Sequence, residues 1–169
     1  MSNPTDPAAA LRAEIAVLAE QERLLQLPAL PADFAWTLGQ ALRADAVALG
    51  QAVTIEVRLG GETLFFHAMP GTVPSNADWA RRKRNVVELL GQSSYRVGRQ
   101  LALDGSSLEA KMGLSTRDYA PHGGAVPLGV AGVRLGTVTI SGLPQRQDHE
   151  LVVAAIARLG GLSVPRLPD

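Results

Sequence analysis

Two stretches of this chain combine strand-like alternation with a glycine turn, and together they restrict the class of fold more than any other feature. The first, "AVTIEVRLGGETLFFHAM", has two β-rich runs joined by Gly60 and Gly61. The second, "GAVPLGVAGVRLGTVTISG", turns near Gly132. Polar and apolar residues alternate over residues 53–59, so we expect that strand to have one solvated face. Two hairpins separated in sequence predict one antiparallel sheet.

Helical periodicity fills the rest of the chain. Asp6 and Pro7 fit the cap and first position of a helix that ends before Pro28. Further helices are predicted at residues 33–49, at residues 78–103 with a break near 91–94, and from residue 145 to the stop at Gly160 and Gly161. The predicted order is therefore ααββααββα. We expect an α+β fold in which helices flank the sheet, as a single domain over residues 1–169.

Composition narrows the functional classes. Cysteine is absent, which argues against disulfides, zinc–thiolate sites, iron–sulfur clusters and thiol catalysis. Sixteen basic residues balance sixteen acidic ones, so neither a nucleic-acid partner nor a membrane surface is expected. The first residues lack the apolar core of a signal peptide, and no apolar run approaches the roughly 18 residues of a membrane span. We expect a cytoplasmic protein.

The segment "NADWARRKRNVVE" contains the first candidate site. It carries four consecutive cations from Arg81 to Arg84, which spread around a helix because successive residues are about 100° apart. A solvated helix surface explains most of them. Trp79, however, lies within a turn of Arg82 and Lys83, and an aromatic plane beside cations is a common way to hold a flat or carboxylate-bearing ligand.

The segment "YAPHGGAVPL" contains the second candidate site, because His122 directly precedes Gly123 and Gly124. Adjacent glycines let a backbone approach a ligand closely, and their amides can cradle an anion. Alternatively, the two glycines only begin a strand and His122 is solvated beside it.

The segment "SGLPQRQDHELV" contains the third candidate site, where a strand ends and a helix begins. Free amides at such a helix start favour an anion. His149 is a candidate acid, base or metal ligand, and Asp148 is a candidate for the first turn. Alternatively, Asp148 only complements the helix dipole and His149 lies on the surface. The three histidines lack the spacing of a metal site, so no metal is predicted.

The three segments in this order resemble the haem-degrading-domain family of GlcG/HbpS-like proteins, and within it a small single-domain, largely uncharacterised cytosolic group. The resemblance implies an α+β fold, here with profilin-like α/β/α layering, and a homo-oligomer. It implies haem as a candidate cofactor. It also implies that certain positions form one ligand-binding site: Trp79, Arg82, Lys83, Asn85, His122, Gly123, Gly124, Ser141 and Gly142, with His122, His149 and Asp148 as catalytic candidates.

Several functions remain open at this point. One is a pocket near His122 for an anionic small molecule or for haem, with His122 or His149 as axial ligand of the iron. An enzyme with His122 as acid or base is another. The alternative is a non-enzymatic oligomeric interaction or accessory module that acts with a protein partner.

Overall fold

The computed structural model describes residues 6–31 and 33–169. Its helices are α1 (Pro7–Leu24), α2 (Phe34–Ala48), α3 (Pro74–Leu90), α4 (Ser94–Leu103), α5 (Leu108–Met112) and α6 (Gln145–Gly160). Its strands are β1 (Gln26–Leu27), β2 (Thr54–Leu59), β3 (Glu62–Ala68), β4 (Ala125–Val130) and β5 (Val133–Ser141).

The strands form one mixed sheet in the order β1-β4-β5-β2-β3. Both predicted hairpins are present, and they join because β5 pairs antiparallel with β2. The expected α+β fold is thereby confirmed. The structure adds two short elements that the periodicity did not predict. One is α5, and the other is β1, two residues that pair in parallel with β4. Both elements are too short to show a period: β1 forms by pairing with β4, and α5 lies between its Ser107 cap and Gly113.

Helices cover both faces of the sheet. Helices α2 and α6 pack on one face, where apolar strand residues such as Ile55, Leu128 and Ile140 are fully buried. Helix α3 lies across the other face over β4, β5 and β2, and α1 packs outside against α4. The result is the expected α/β/α layering, and the main apolar core lies between the sheet and the pair α2 and α6.

The polar face of β2 differs from expectation, because α3 covers it. Thr54 and Glu56 are buried there. Arg84 of α3 donates to both carboxylate oxygens of Glu56 at 2.9 Å, which satisfies the acid inside the protein. Thr139, which pairs with Glu56 across the strands, is buried as well. The layer between the sheet and α3 is therefore polar, and alternation alone could not distinguish a wet face from a polar face beneath a helix.

The helix starts follow local chemistry. Asp6 caps α1 as predicted, accepting a hydrogen bond from the amide of Ala8 at 3.0 Å. Helix α3 begins at Pro74, four residues earlier than predicted, and the side chain of Asn76 accepts from the amide of Val73 at 2.9 Å. The predicted break is confirmed, because α3 ends at Leu90, Gly91 follows it with φ at 71°, and Ser93 caps α4.

Candidate functional site

The loop that carries His122 is held in place by two helices. The amide of Ala120 donates to the carbonyl of Arg82 in α3 at 3.1 Å. On the other side, Gly98 of α4 lies so close that a Cβ there would come within 2.1 Å of the carbonyl oxygen of Pro121. The backbone before His122 is thus fixed between α3 and α4.

The two glycines after His122 serve close packing. The amide of Gly123 donates to the side chain of Gln145 at 3.2 Å, and a Cβ on Gly123 would lie 2.0 Å from the carbonyl oxygen of Gln145. Gly124 has φ at 134°, and a Cβ there would lie 2.9 Å from Nζ of Lys83. The expectation of a glycine cradle for an anion therefore finds no support at Gly123, because its amide is already engaged.

A buried ion pair lies directly behind the loop. Nζ of Lys83 donates to Oδ2 of Asp148 at 2.8 Å and to the carbonyl of Ile140 at 3.3 Å. The two charged side chains are 5% and 0% exposed. The amide of Leu143 donates to the other carboxylate oxygen at 3.1 Å. Burial raises the pKa of Asp148, while Lys83 and the backbone amides of Leu143 and Gly142 oppose this shift.

In front of the ion pair lies a cavity of about 280 Å³, which we call the Trp79 hollow. It is lined by Asn76, Trp79, Lys83, His122, Ser141, Gly142, Leu143 and Gln145. The rings of Trp79 and His122 meet edge to face with centroids 5.3 Å apart. Residues from all three sequence segments contribute to the lining, so helix α3, the His122 loop and the start of α6 meet at this cavity.

The His122 ring is the titratable group at the mouth of this hollow. Partial burial lowers the pKa of His122, and the nearby charges of Lys83, Arg82 and Arg99 lower it further. The lowered pKa favours the neutral imidazole, in which one nitrogen can accept a hydrogen bond and the other can donate one.

The basic residues expected at the rim are already paired. Nε of Arg82 donates to Asp78 at 2.9 Å, and the guanidinium of Arg82 stacks 3.9 Å from the centroid of Trp79. Lys83 is compensated by Asp148. Arg82 therefore supports the Trp79 ring, and Lys83 reaches the hollow as half of a neutral pair.

Two of the three catalytic candidates lie out of a ligand's reach. Asp148 is fully buried in its ion pair. His149 is 1% exposed, which differs from the surface position considered for it. Its Nε2 lies 2.9 Å from Oε1 of Gln21, and its ring packs on Tyr95. Burial lowers the pKa of His149 to about 3. Of the three candidates, His122 alone lines the hollow.

Asn85 also points elsewhere, since its side-chain amide donates to the carbonyl of Asp118 at 2.8 Å and ties α3 to the loop before His122. Three lining residues were not predicted: Asn76, Leu143 and Gln145. They lie inside the same three segments, so their nearness in sequence to Trp79 or Gly142 was the only signal that could have identified them.

Within residues 6–31 and 33–169, no cluster of three or more potential metal ligands occurs. No helix in these ranges is both long and apolar enough to cross a membrane.

Comparison with known proteins agrees with this architecture. Residues 30–157 match the family model described as haem degrading protein HbpS-like. Because the match spans most of the chain, the protein belongs to that family, and the resemblance drawn from the sequence is confirmed.

The relatives are close in sequence but carry a name without a function. A UPF0303 protein of Azotobacter vinelandii is 54% identical over 141 residues, covering 83% of this chain and 85% of its own. One from Serratia proteamaculans is 47% identical over 153 residues, covering 90% and 95%.

Solved structures share the fold. The Ybr137w protein superposes with a TM-score of 0.81 at 26% identity, covering 87% of both chains. A complex called PduOC:Heme superposes with a TM-score of 0.68 at 19% identity, covering 82% of this chain and 99% of its own. At that identity the likeness to the haem complex concerns the fold alone.

Proposed function

We propose that the protein binds a small anionic molecule in the Trp79 hollow, against His122. The observation that carries this proposal is the position of His122, whose ring meets Trp79 at the Trp79 hollow and which shares a second cavity with Arg99, a cation without a carboxylate partner among the described residues. An unpaired cation nearby favours an anion, and a neutral imidazole can donate a hydrogen bond to it without a protonation cost.

Uncommitted polar groups support the same site. No hydrogen bond among the described residues uses the indole N–H of Trp79, the ring nitrogens of His122 or the hydroxyl of Ser141. These three side chains line one cavity and are available to a ligand. The cavity volume of about 280 Å³ lies just below the roughly 300–1,000 Å³ of small-molecule sites, which favours a small metabolite.

The two tryptophans of the chain allow a direct test. Trp36 is exposed on α2, so Trp36→Phe leaves Trp79 as the sole indole reporter. In that background we expect a saturable change in fluorescence on titration with a panel of small carboxylates and inorganic phosphate at constant ionic strength. His122→Ala should weaken the Kd about 10-fold, the effect of losing one hydrogen bond of about 1.4 kcal/mol.

His67→Ala is the matched control, because His67 lies on β3, where it pairs with Ile55 and lines no part of the hollow. It should leave the Kd unchanged. A Trp79 signal that responds to none of the probes would contradict the proposal, as would equal affinity in the His122→Ala variant.

Haem is a second candidate ligand, favoured by the family description and by the haem complex among the structural neighbours. The residues fit a haem attached at the surface through the neutral, partly exposed imidazole of His122. They do not fit an enclosed haem, since the Trp79 hollow is too small to surround a macrocycle. When bound, haem would supply redox chemistry, and Arg99 is available to a propionate.

Hemin is therefore one arm of the same titration, followed by absorbance. If haem binds at this site, a saturable Soret shift should disappear in His122→Ala and persist in His149→Ala, because His149 is buried away from the hollow. A shift that survives both substitutions would exclude His122 as the ligand and would indicate non-specific association.

We also infer that the chain self-associates, as the family resemblance implies. Strand β3 is an edge of the sheet, and Leu64 and Phe66 on it are about half exposed. Such an edge suits pairing with another chain, and it is also what the alternative of an interaction module would use. Sedimentation should show a particle larger than 17.8 kDa, and a stable monomer would contradict self-association.

A further inference from the structure

A second cavity of about 260 Å³ lies on the far side of His122, and we call it the Arg99 hollow. Arg99, Ser107 and Pro121 contribute to its wall, and His122 and Gln145 line both hollows. Because these two residues line both hollows, the hollows adjoin there, and a ligand that touches His122 can extend into either; we call this pair the His122 and Gln145 ridge.

Arg99 differs from the neighbouring cations of α3, Arg81 to Lys83. Arg81 pairs with Asp78 and Asp118, Arg82 with Asp78, and Lys83 with Asp148. Within the described residues no carboxylate pairs with Arg99, and its buried Nε has no hydrogen-bond partner. No hydrogen bond within the described residues uses the terminal nitrogens of its guanidinium either, and Arg99 lines the hollow.

The protein nevertheless holds Arg99 in place. Its Cζ lies 5.1 Å from the ring centroid of Tyr95, one helical turn earlier in α4, within the range of a cation–π contact. Tyr95 is itself fixed, because its hydroxyl donates to Glu14 at 2.6 Å. Burial raises the pKa of Tyr95 to about 12, so that donor stays protonated. The guanidinium is thus pre-positioned by an aromatic ring and still has free donors.

Helix α4 brings this guanidinium to the His122 loop. Gly98 precedes Arg99 and packs against the carbonyl of Pro121, which precedes His122. The contact requires a residue without a side chain, since a Cβ would stand 2.1 Å from that oxygen. The close approach at Gly98 therefore brings Arg99 and His122 to the same cavity, the Arg99 hollow.

We propose that Arg99 binds an oxyanion, either a carboxylate or a phosphate, and that the rest of the same ligand crosses the His122 and Gln145 ridge into the Trp79 hollow. This rests on the proposed function and names its anion-binding residue. A planar guanidinium can give two parallel hydrogen bonds to either group, and these charge-assisted bonds are the stronger kind. The Trp79 hollow, whose cation is neutralised, would then receive the uncharged polar part.

Calorimetric titrations with succinate and with inorganic phosphate test the assignment and separate the two anion classes. Arg99→Gln should weaken the Kd of whichever probe binds by about 10- to 100-fold, the loss expected for hydrogen bonds to a charged group. Arg99→Lys should lose less, because the charge remains while the paired donors do not. Arg12→Gln, an exposed arginine on α1, is the matched control and should bind like the wild type.

A second measurement needs no variant. Sulfate keeps its charge from pH 5 to 8, and binding at Arg99 would offset one of the cations that lower the pKa of His122. NMR should therefore show that pKa rising with sulfate, compared with chloride at equal ionic strength.

The outcomes separate the two proposals. Equal affinity in wild type and a folded Arg99→Gln variant would overturn the assignment to Arg99 alone, and so would a His122 pKa that ignores sulfate. If neither succinate nor phosphate binds to the wild type and Trp79 responds to none of its panel, the binding function itself fails.

Discussion

Asp148→Asn is expected to lower the free energy of unfolding by about 3–5 kcal/mol, because it leaves the ammonium of Lys83 buried without its counter-ion. The isosteric amide cannot replace the carboxylate. Asp148 accepts from Lys83 with one oxygen and from the amide of Leu143 with the other, whereas asparagine offers a single acceptor. Urea denaturation followed by circular dichroism measures the loss.

A double variant separates pairing from burial. Lys83→Met combined with Asp148→Asn removes both charges, so it should be more stable than Asp148→Asn alone. Glu20→Gln is the control, since its partner Arg23 and the acid are both exposed on α1, and no comparable loss is expected there. A stability of Asp148→Asn within about 1 kcal/mol of the wild type would show that water reaches Lys83 and would refute the buried pair.

Acid is expected to destabilise the fold through His149. The amide of Gln21 donates to the carbonyl of Pro165 at 2.8 Å, so its oxygen faces His149 and accepts from Nε2–H. Nδ1 is then the unprotonated nitrogen, and it is buried without a partner. Adding a proton there would create an unpaired charge in the interior, which is why burial lowers the pKa of His149 from 6.5 to about 3.

The direction of the pH effect follows from linkage. Between pH 6.5 and pH 3 the unfolded chain binds a proton at His149 that the folded chain does not. Stability from this residue is complete above pH 6.5 and declines by about 1.4 kcal/mol per pH unit as the pH falls, roughly 3 kcal/mol by pH 4.

His149→Gln isolates this contribution, because glutamine can still donate to Gln21 but does not titrate. We expect the variant to lose less stability than the wild type between pH 6.5 and pH 4, with a slope smaller by about one proton. Acids elsewhere titrate in both proteins, and their effects cancel in the difference. Parallel stability profiles would mean that His149 is protonated in the fold and that the assigned tautomer is wrong.

These two residues show what the third sequence segment contributes. Asp148 and His149 are neighbours on α6. Asp148 pairs with Lys83 behind the Trp79 hollow, whereas His149 contacts Gln21 of α1, which also donates to the carbonyl of Pro165 after α6. Both support the site from inside the protein. Substitutions at either position should therefore lower the free energy of unfolding more than they weaken ligand binding.

Local pattern predicted the elements well. The glycine turns, the Asp6 cap and the break after Leu90 depend on neighbouring residues only, so they could be identified without a fold. The clustering of three sequence segments around His122 was also predicted, but through resemblance and not through spacing. Arg99 lies outside those segments, and the one local signal for it was its position one helical turn after Tyr95.

The sequence by itself determined the two hairpins and the helices that flank them, because turn residues and hydrophobic period act over a few neighbours. The tertiary structure decided which charged side chains are paired with an opposite charge and which are not. Lys83 and Arg82 are neighbours on one helix, but their partners differ. Arg82 pairs with the half-exposed Asp78 on the same helix, whereas Lys83 pairs with the buried Asp148, which is far away in the chain. Burial and pairing depend on what packs across the fold, and this is why Lys83 lies in the interior beside Asp148 while no carboxylate among the described residues pairs with Arg99.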